Sequence, residues 1–76
     1  MKIIRIKTEE LIDWFPLMTN QEIQDYPYCI FTINKDAKRI TYQFGEFPDS
    51  NIDDKELPTN DFAETATEIV ELGEEI

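Results

Sequence analysis

Two runs of alternating residues constrain this fold most. Over 27–34, Cys29, Phe31 and Ile33 fall on one side of an extended chain; over 39–44, Ile40, Tyr42 and Phe44 do the same. A period of two marks half-buried strands. The polar segment Asn34-Lys35-Asp36-Ala37-Lys38 between them reads as a hairpin turn. A slip of one residue would turn the whole apolar set to water, so the register is well specified. The rest of the chain must then supply a layer that covers this apolar face.

The flanking segments offer that layer. Residues 2–7 alternate, with Ile4 and Ile6 opposite Arg5 and Lys7, and predict a third strand. Thr8 can cap a short helix whose first turn holds Glu9 and Glu10, where negative charge suits the helix dipole. Leu11, Ile12, Trp14 and Phe15 give that helix an apolar side, and Pro16 ends it. Thr19 and Glu22 have capping-box spacing, which permits one further turn over 20–25. Residues 45–59, with Gly45, Pro48 and Pro58 among Asp, Asn and Ser, predict a long acidic loop. Thr59, Asn60 or Asp61 can cap a final amphipathic helix over 60–72, with Gly73 at the C-terminal cap. The expectation is one α+β domain over 1–76, in the order β-α-β-β-α, with an antiparallel sheet packed against a C-terminal helix.

At 76 residues, such a domain buries only roughly 60% of its unfolded surface, so modest stability is expected. Cys29 is the single cysteine, which rules out an intrachain disulfide and makes a reducing cytoplasm the natural setting. If the chain is phage-encoded, that setting is the host-cell cytoplasm. No apolar run is long enough to span a membrane, the N-terminal segment lacks a signal-peptide pattern, and no repeat or low-complexity block is evident.

Charge is distributed unevenly. Residues 1–39 balance six acids with six bases, whereas 40–76 hold eleven acids and one base, Lys55, so the formal charge of −10 belongs to the second half. Such a field steers association with basic partners and repels nucleic acid and anionic membranes. On the expected final helix, Phe62, Ala63, Ala66, Ile69 and Val70 share one face, and Asp61, Glu64, Glu68, Glu71 and Glu75 form a stripe on the other. No lysine or arginine occurs in 56–76. Like charges at this spacing destabilise a helix by roughly 0.2–0.5 kcal/mol per pair. A helix shaped for stability alone mixes in lysine; against this stands the plain reading that glutamate forms helices well and keeps surfaces soluble. The carboxylate spacing is comparable with the separation of phosphates along DNA. Asp49, Asp53, Asp54 and Glu56 make a second acidic patch in the loop.

Other chemistry finds little material. Asp49, Asn51 and Asp53 occupy positions 1, 3 and 5 of an EF-hand-like spacing, but Asp54 stands where glycine is needed and Asn60 where a bidentate glutamate is needed. A polar turn bonding its own backbone explains the segment more simply. The absence of histidine excludes Ser-His and Cys-His pairs, Ser50 is the only serine, and Cys29 reads as a small core residue. The expectation is a non-enzyme without cofactor or metal. Trp14, Phe15, Tyr26 and Tyr28 fit either interface anchors or core.

The sequence therefore points to a small acidic protein that occupies the basic surface of a nucleic-acid-binding protein or complex. Asp61, Glu64, Glu68, Glu71 and Glu75, with Asp49, Asp53, Asp54 and Glu56, would pair with Arg and Lys. It would bind neither nucleic acid nor membrane directly. In size, charge and acidic ridge, though in no aligned residue, the chain resembles the small acidic inhibitors that phages encode against host defences: anti-CRISPR proteins, restriction inhibitors and other DNA mimics. The alternative is a non-enzymatic structural or regulatory interaction module that binds through its aromatic hairpin or the Trp14 helix.

Overall fold

A computed structural model describes residues 1–11 and 25–76. The five strands are β1 (Lys2–Lys7), β2 (Tyr28–Asn34), β3 (Arg39–Phe44), β4 (Lys55–Glu56) and β5 (Glu74–Glu75), and the C-terminal helix α1 is Phe62–Leu72. They form one antiparallel sheet in the order β4-β3-β2-β1-β5. With the helix packed against it, this is the expected α+β architecture. The first three strands fall where the alternation places them.

The hairpin register sets Ile4 beside Phe31 and Phe31 beside Tyr42, and likewise Ile6 beside Cys29 and Cys29 beside Phe44. These rows align the apolar positions of three strands on one face. Ile4, Ile6, Leu11, Cys29, Phe31, Ile33, Ile40, Tyr42 and Ile69 form the buried core, each large side chain stabilising the fold by roughly 1.5–3 kcal/mol through its removal from water. Tyr42 packs against Phe31 at 5.9 Å between ring centroids and meets Phe44 edge-on at 6.0 Å. Phe31, Tyr42 and Phe44 of the hairpin thus pack in or against the core, whereas Tyr28 lies on the other side of the sheet. Tyr26 stacks on Phe44 at 5.6 Å and stays partly exposed.

In the hairpin turn, Asn34 Oδ1 accepts from the Ala37 N–H at 3.1 Å, and Lys38 takes a left-handed conformation with φ of 52°. Where a helix was expected after β1, Thr8–Leu11 forms a 3-10 turn. The Thr8 hydroxyl donates to the Tyr26 carbonyl at 2.6 Å and its N–H donates to the Pro27 carbonyl at 3.0 Å, which ties this turn to the entry of β2. The remainder of that expected helix, with Trp14, Phe15 and Pro16, and most of the expected turn over 20–25 lie outside the described residues.

Helix α1 buries a narrower stripe than its sequence suggests. Ile69 is fully buried and Phe62 and Ala66 pack at the core margin, but Ala63 and Val70 are exposed. A single helix lying across one sheet contacts it along one line of side chains, and the residues flanking that line remain in water. Gly73 follows the helix with extended angles (φ −125°, ψ −165°), and its N–H donates to the Ile69 carbonyl. Its value is close approach rather than left-handed geometry: a Cβ here would lie 2.5 Å from the Arg5 carbonyl oxygen and 2.7 Å from Ile4 Cγ2. The chain then joins the sheet, the Ile76 N–H donating to the Ile3 carbonyl at 3.0 Å.

Candidate functional site

The helix carboxylates divide by what holds them. Asp61 is the N-cap, its Oδ1 accepting from the Glu64 N–H at 3.2 Å. Glu64 and Glu71 are exposed, and Glu68 is half-buried. Neither Glu64 nor Glu71 makes an ion pair with a described residue. Glu75, expected as the last member of this stripe, lies instead in β5, paired in register with Ile4. The helix stops at Leu72 because Gly73 lets the backbone drop onto β1, so the ridge is one carboxylate shorter than its spacing implies. Glu71 also lines a groove with Lys2 and Lys35, and these cations bound the acidic face on that side.

The loop carboxylates are turned largely toward their own chain. Asp49 Oδ1 accepts from the Asn51 N–H at 2.9 Å, a local turn that bonds its own backbone. Asp54 Oδ1 accepts from Gln43 Nε2 at 2.7 Å, while Gln43 Oε1 accepts from the Asp49 N–H at 2.9 Å. Gln43 is buried and spends both ends of its amide on this loop. Glu56 pairs with Arg39 at 3.4 Å, and both partners are exposed, so this contact adds little stability. Asp53 is exposed. Among the described residues no three acidic or cysteine side chains converge as a metal cage.

The structure does not bring the two acidic patches together. Helix α1 covers the core face of the sheet. Arg5, Ile30 and Gln43 lie side by side on the reverse face, by register and alternation. The loop folds over this reverse face, with the Phe47 ring 5.3 Å from the Arg5 guanidinium and Gln43 bonded to both ends of the 49–54 segment. Ile30 is only 1% exposed although it belongs to no part of the main core. A partner with one flat surface can therefore engage the helix carboxylates or the loop, not both.

Arg5 organises the reverse face, a role not anticipated from the sequence. Its guanidinium donates to Glu74 Oε1 from Nη2 at 2.6 Å and from Nε at 3.3 Å, and to the Glu46 carbonyl at 3.2 Å. It also lies over the Tyr28 ring at 5.2 Å. The hydrogen bond to Glu74 raises its pKa above the ordinary guanidinium value, burial opposing and the charge of Glu74 adding to the rise. Glu74 and Gln43 were legible only as a helix-end acid and a polar strand residue. The available signal was the off-phase Ile30, an apolar residue on a face otherwise read as solvent-facing.

Compared with protein-family models, with curated proteins and with solved structures, the chain matches none. Among the described residues no helix is long and apolar enough to cross a membrane.

Proposed function

We propose that this protein binds a basic surface of another protein through the outer face of α1. The observation behind this reading is the run Glu64, Glu68 and Glu71 along a helix that carries no lysine or arginine of its own. The exposed carboxylates of Glu64 and Glu71 suit bidentate bonds from arginine, and half-buried Glu68 between them adds its charge, at intervals of roughly 5–6 Å along the helix. Asp61 contributes field rather than direct contact, since its side chain caps the helix. Glu75, on the sheet edge, contributes at most at the margin.

When the surface so occupied is one that holds nucleic acid, binding is competitive and the protein acts as a DNA-mimic-like inhibitor. The phage anti-defence and anti-CRISPR inhibitors are the type it would then belong to. The test is a pull-down from cell lysate at low salt, with the wild type beside a Glu64→Lys/Glu68→Lys/Glu71→Lys variant shown to be folded by circular dichroism. The reading predicts that basic nucleic-acid-binding proteins are retained by the wild type, released by salt and by added duplex DNA, and lost from the variant. Equal retention by both proteins overturns it.

A further inference from the structure

The reverse face holds an exposed aromatic residue in a fixed position. Phe47 is 64% exposed and Ile52 44% exposed, both on the loop that crosses this face. Single exposed apolar side chains are common on protein surfaces, so exposure alone says little; what sets this loop apart is how it is held. Here the loop is braced at several points. Gln43 holds Asp49 and Asp54, Arg5 donates to the Glu46 carbonyl, and the Arg5 guanidinium supports the Phe47 ring from below. A buried amide and a half-buried guanidinium thus hold the loop that presents the ring to solvent. Immobilising a ring before contact reduces the entropy lost on binding, which is the usual advantage of a preorganised anchor.

We infer that Phe47, with Ile52 on the same loop, is the anchor of a second docking surface, whose occupant is a basic protein segment carrying an apolar socket. Charge selects this occupant. Residues 46–54 carry Glu46, Asp49, Asp53 and Asp54 and no base, so the loop that bears the ring has a formal charge of −4. A second copy of the chain brings the same formal charge of −10 and is repelled. The surface is separate from the helix carboxylates, which lie across the sheet, and the inference stands without them.

Two synthetic peptides of equal charge test it: one of alternating Arg and Gly, and one with two glycines replaced by leucine. Each is titrated into the full chain and followed by amide chemical shifts. The leucine peptide should bind about tenfold tighter, as expected for burial of one large apolar side chain. Its shifts should centre on Phe47 and Ile52. Phe47→Ala should reduce its affinity to that of the glycine peptide while leaving Tm unchanged. Equal affinities for the two peptides, or shifts confined to Glu64–Glu71, overturn this inference and leave the helix reading intact. A marked loss of Tm in Phe47→Ala shows that the ring is already covered by its own chain, and it too overturns the inference. So does self-association of the wild type that the substitution abolishes. Binding at Phe47 with no effect of the Glu64, Glu68 and Glu71 reversals supports this surface.

Discussion

Arg5 Nη2 lies 2.6 Å from Glu74 Oε1, joining the first strand to the last across 69 positions of sequence. The same guanidinium reaches the loop through the Glu46 carbonyl. One side chain therefore links β5 and the loop after β3, adding to the backbone pairing of β5 with β1. Glu74→Ala should loosen β5 first: the Ile76 amide, bonded to the Ile3 carbonyl, should exchange faster with solvent while the Phe31 amide stays protected. Because Glu74 raises the Arg5 pKa, this contribution is complete below the ordinary guanidinium value. It is lost only as pH rises through the raised one. The Tm difference between wild type and Glu74→Gln should thus stay constant from neutral to moderately alkaline pH.

Gly73→Ala separates two roles for glycine. The extended angles at this position suit any residue, so the cost is steric alone. The added Cβ would meet Arg5 backbone and two isoleucine side chains of β1 at 2.5–2.7 Å. Overpacking of this kind costs about 1–3 kcal/mol. For a domain of this size each kcal/mol lowers Tm by roughly 4–8 °C, which a thermal melt resolves.

Lys38→Gly should act in the opposite direction. The left-handed conformation of Lys38 costs an ordinary residue about 1–2 kcal/mol, which exceeds the roughly 0.5–1 kcal/mol entropic penalty of glycine. A gain of up to about 1 kcal/mol should appear as a higher denaturant midpoint with an unchanged slope.

The helix face should be stabilised by salt. Screening weakens repulsion among the excess carboxylates, so Tm should rise with sodium chloride concentration. Glu71→Lys should raise stability by at most about 0.5 kcal/mol: relief of the like-charge pair with Glu68 and a cation at the negative end of the dipole are partly offset by Lys2 and Lys35, which line the same groove. It should also flatten the salt dependence. A helix that gains stability while losing partner binding would show that its charge was kept for contact rather than for folding.

The sequence reading succeeded where a pattern repeats. Ile4 and Ile6, then Cys29, Phe31 and Ile33, then Ile40, Tyr42 and Phe44 each repeat a period of two, and the sheet follows it. Asp61 was among the caps anticipated for α1 and is the one used. Strands β4 and β5 were not legible because two residues cannot show a period, and glutamate favours neither. The extension of the acidic stripe to Glu75 failed for a related reason. Spacing continues past Leu72 as though the helix did, whereas the end of the helix is set by the contact of Gly73 with β1, which only tertiary structure contains. The division of the carboxylates between two faces was hidden in the same way. It depends on Gln43 and Arg5 reaching a loop remote from one of them in sequence.

The two outermost strands, Lys55–Glu56 and Glu74–Glu75, have a consequence for sheet growth. A long bare edge would be a template for a further chain, and a strand as apolar as β2 would be a ready one. Here each rim offers only two residues of backbone and sets charged side chains beside them. An approaching copy finds too little length to register on and, at β5, carboxylates facing carboxylates. Lateral growth of the sheet is thus disfavoured where β4 and β5 border it.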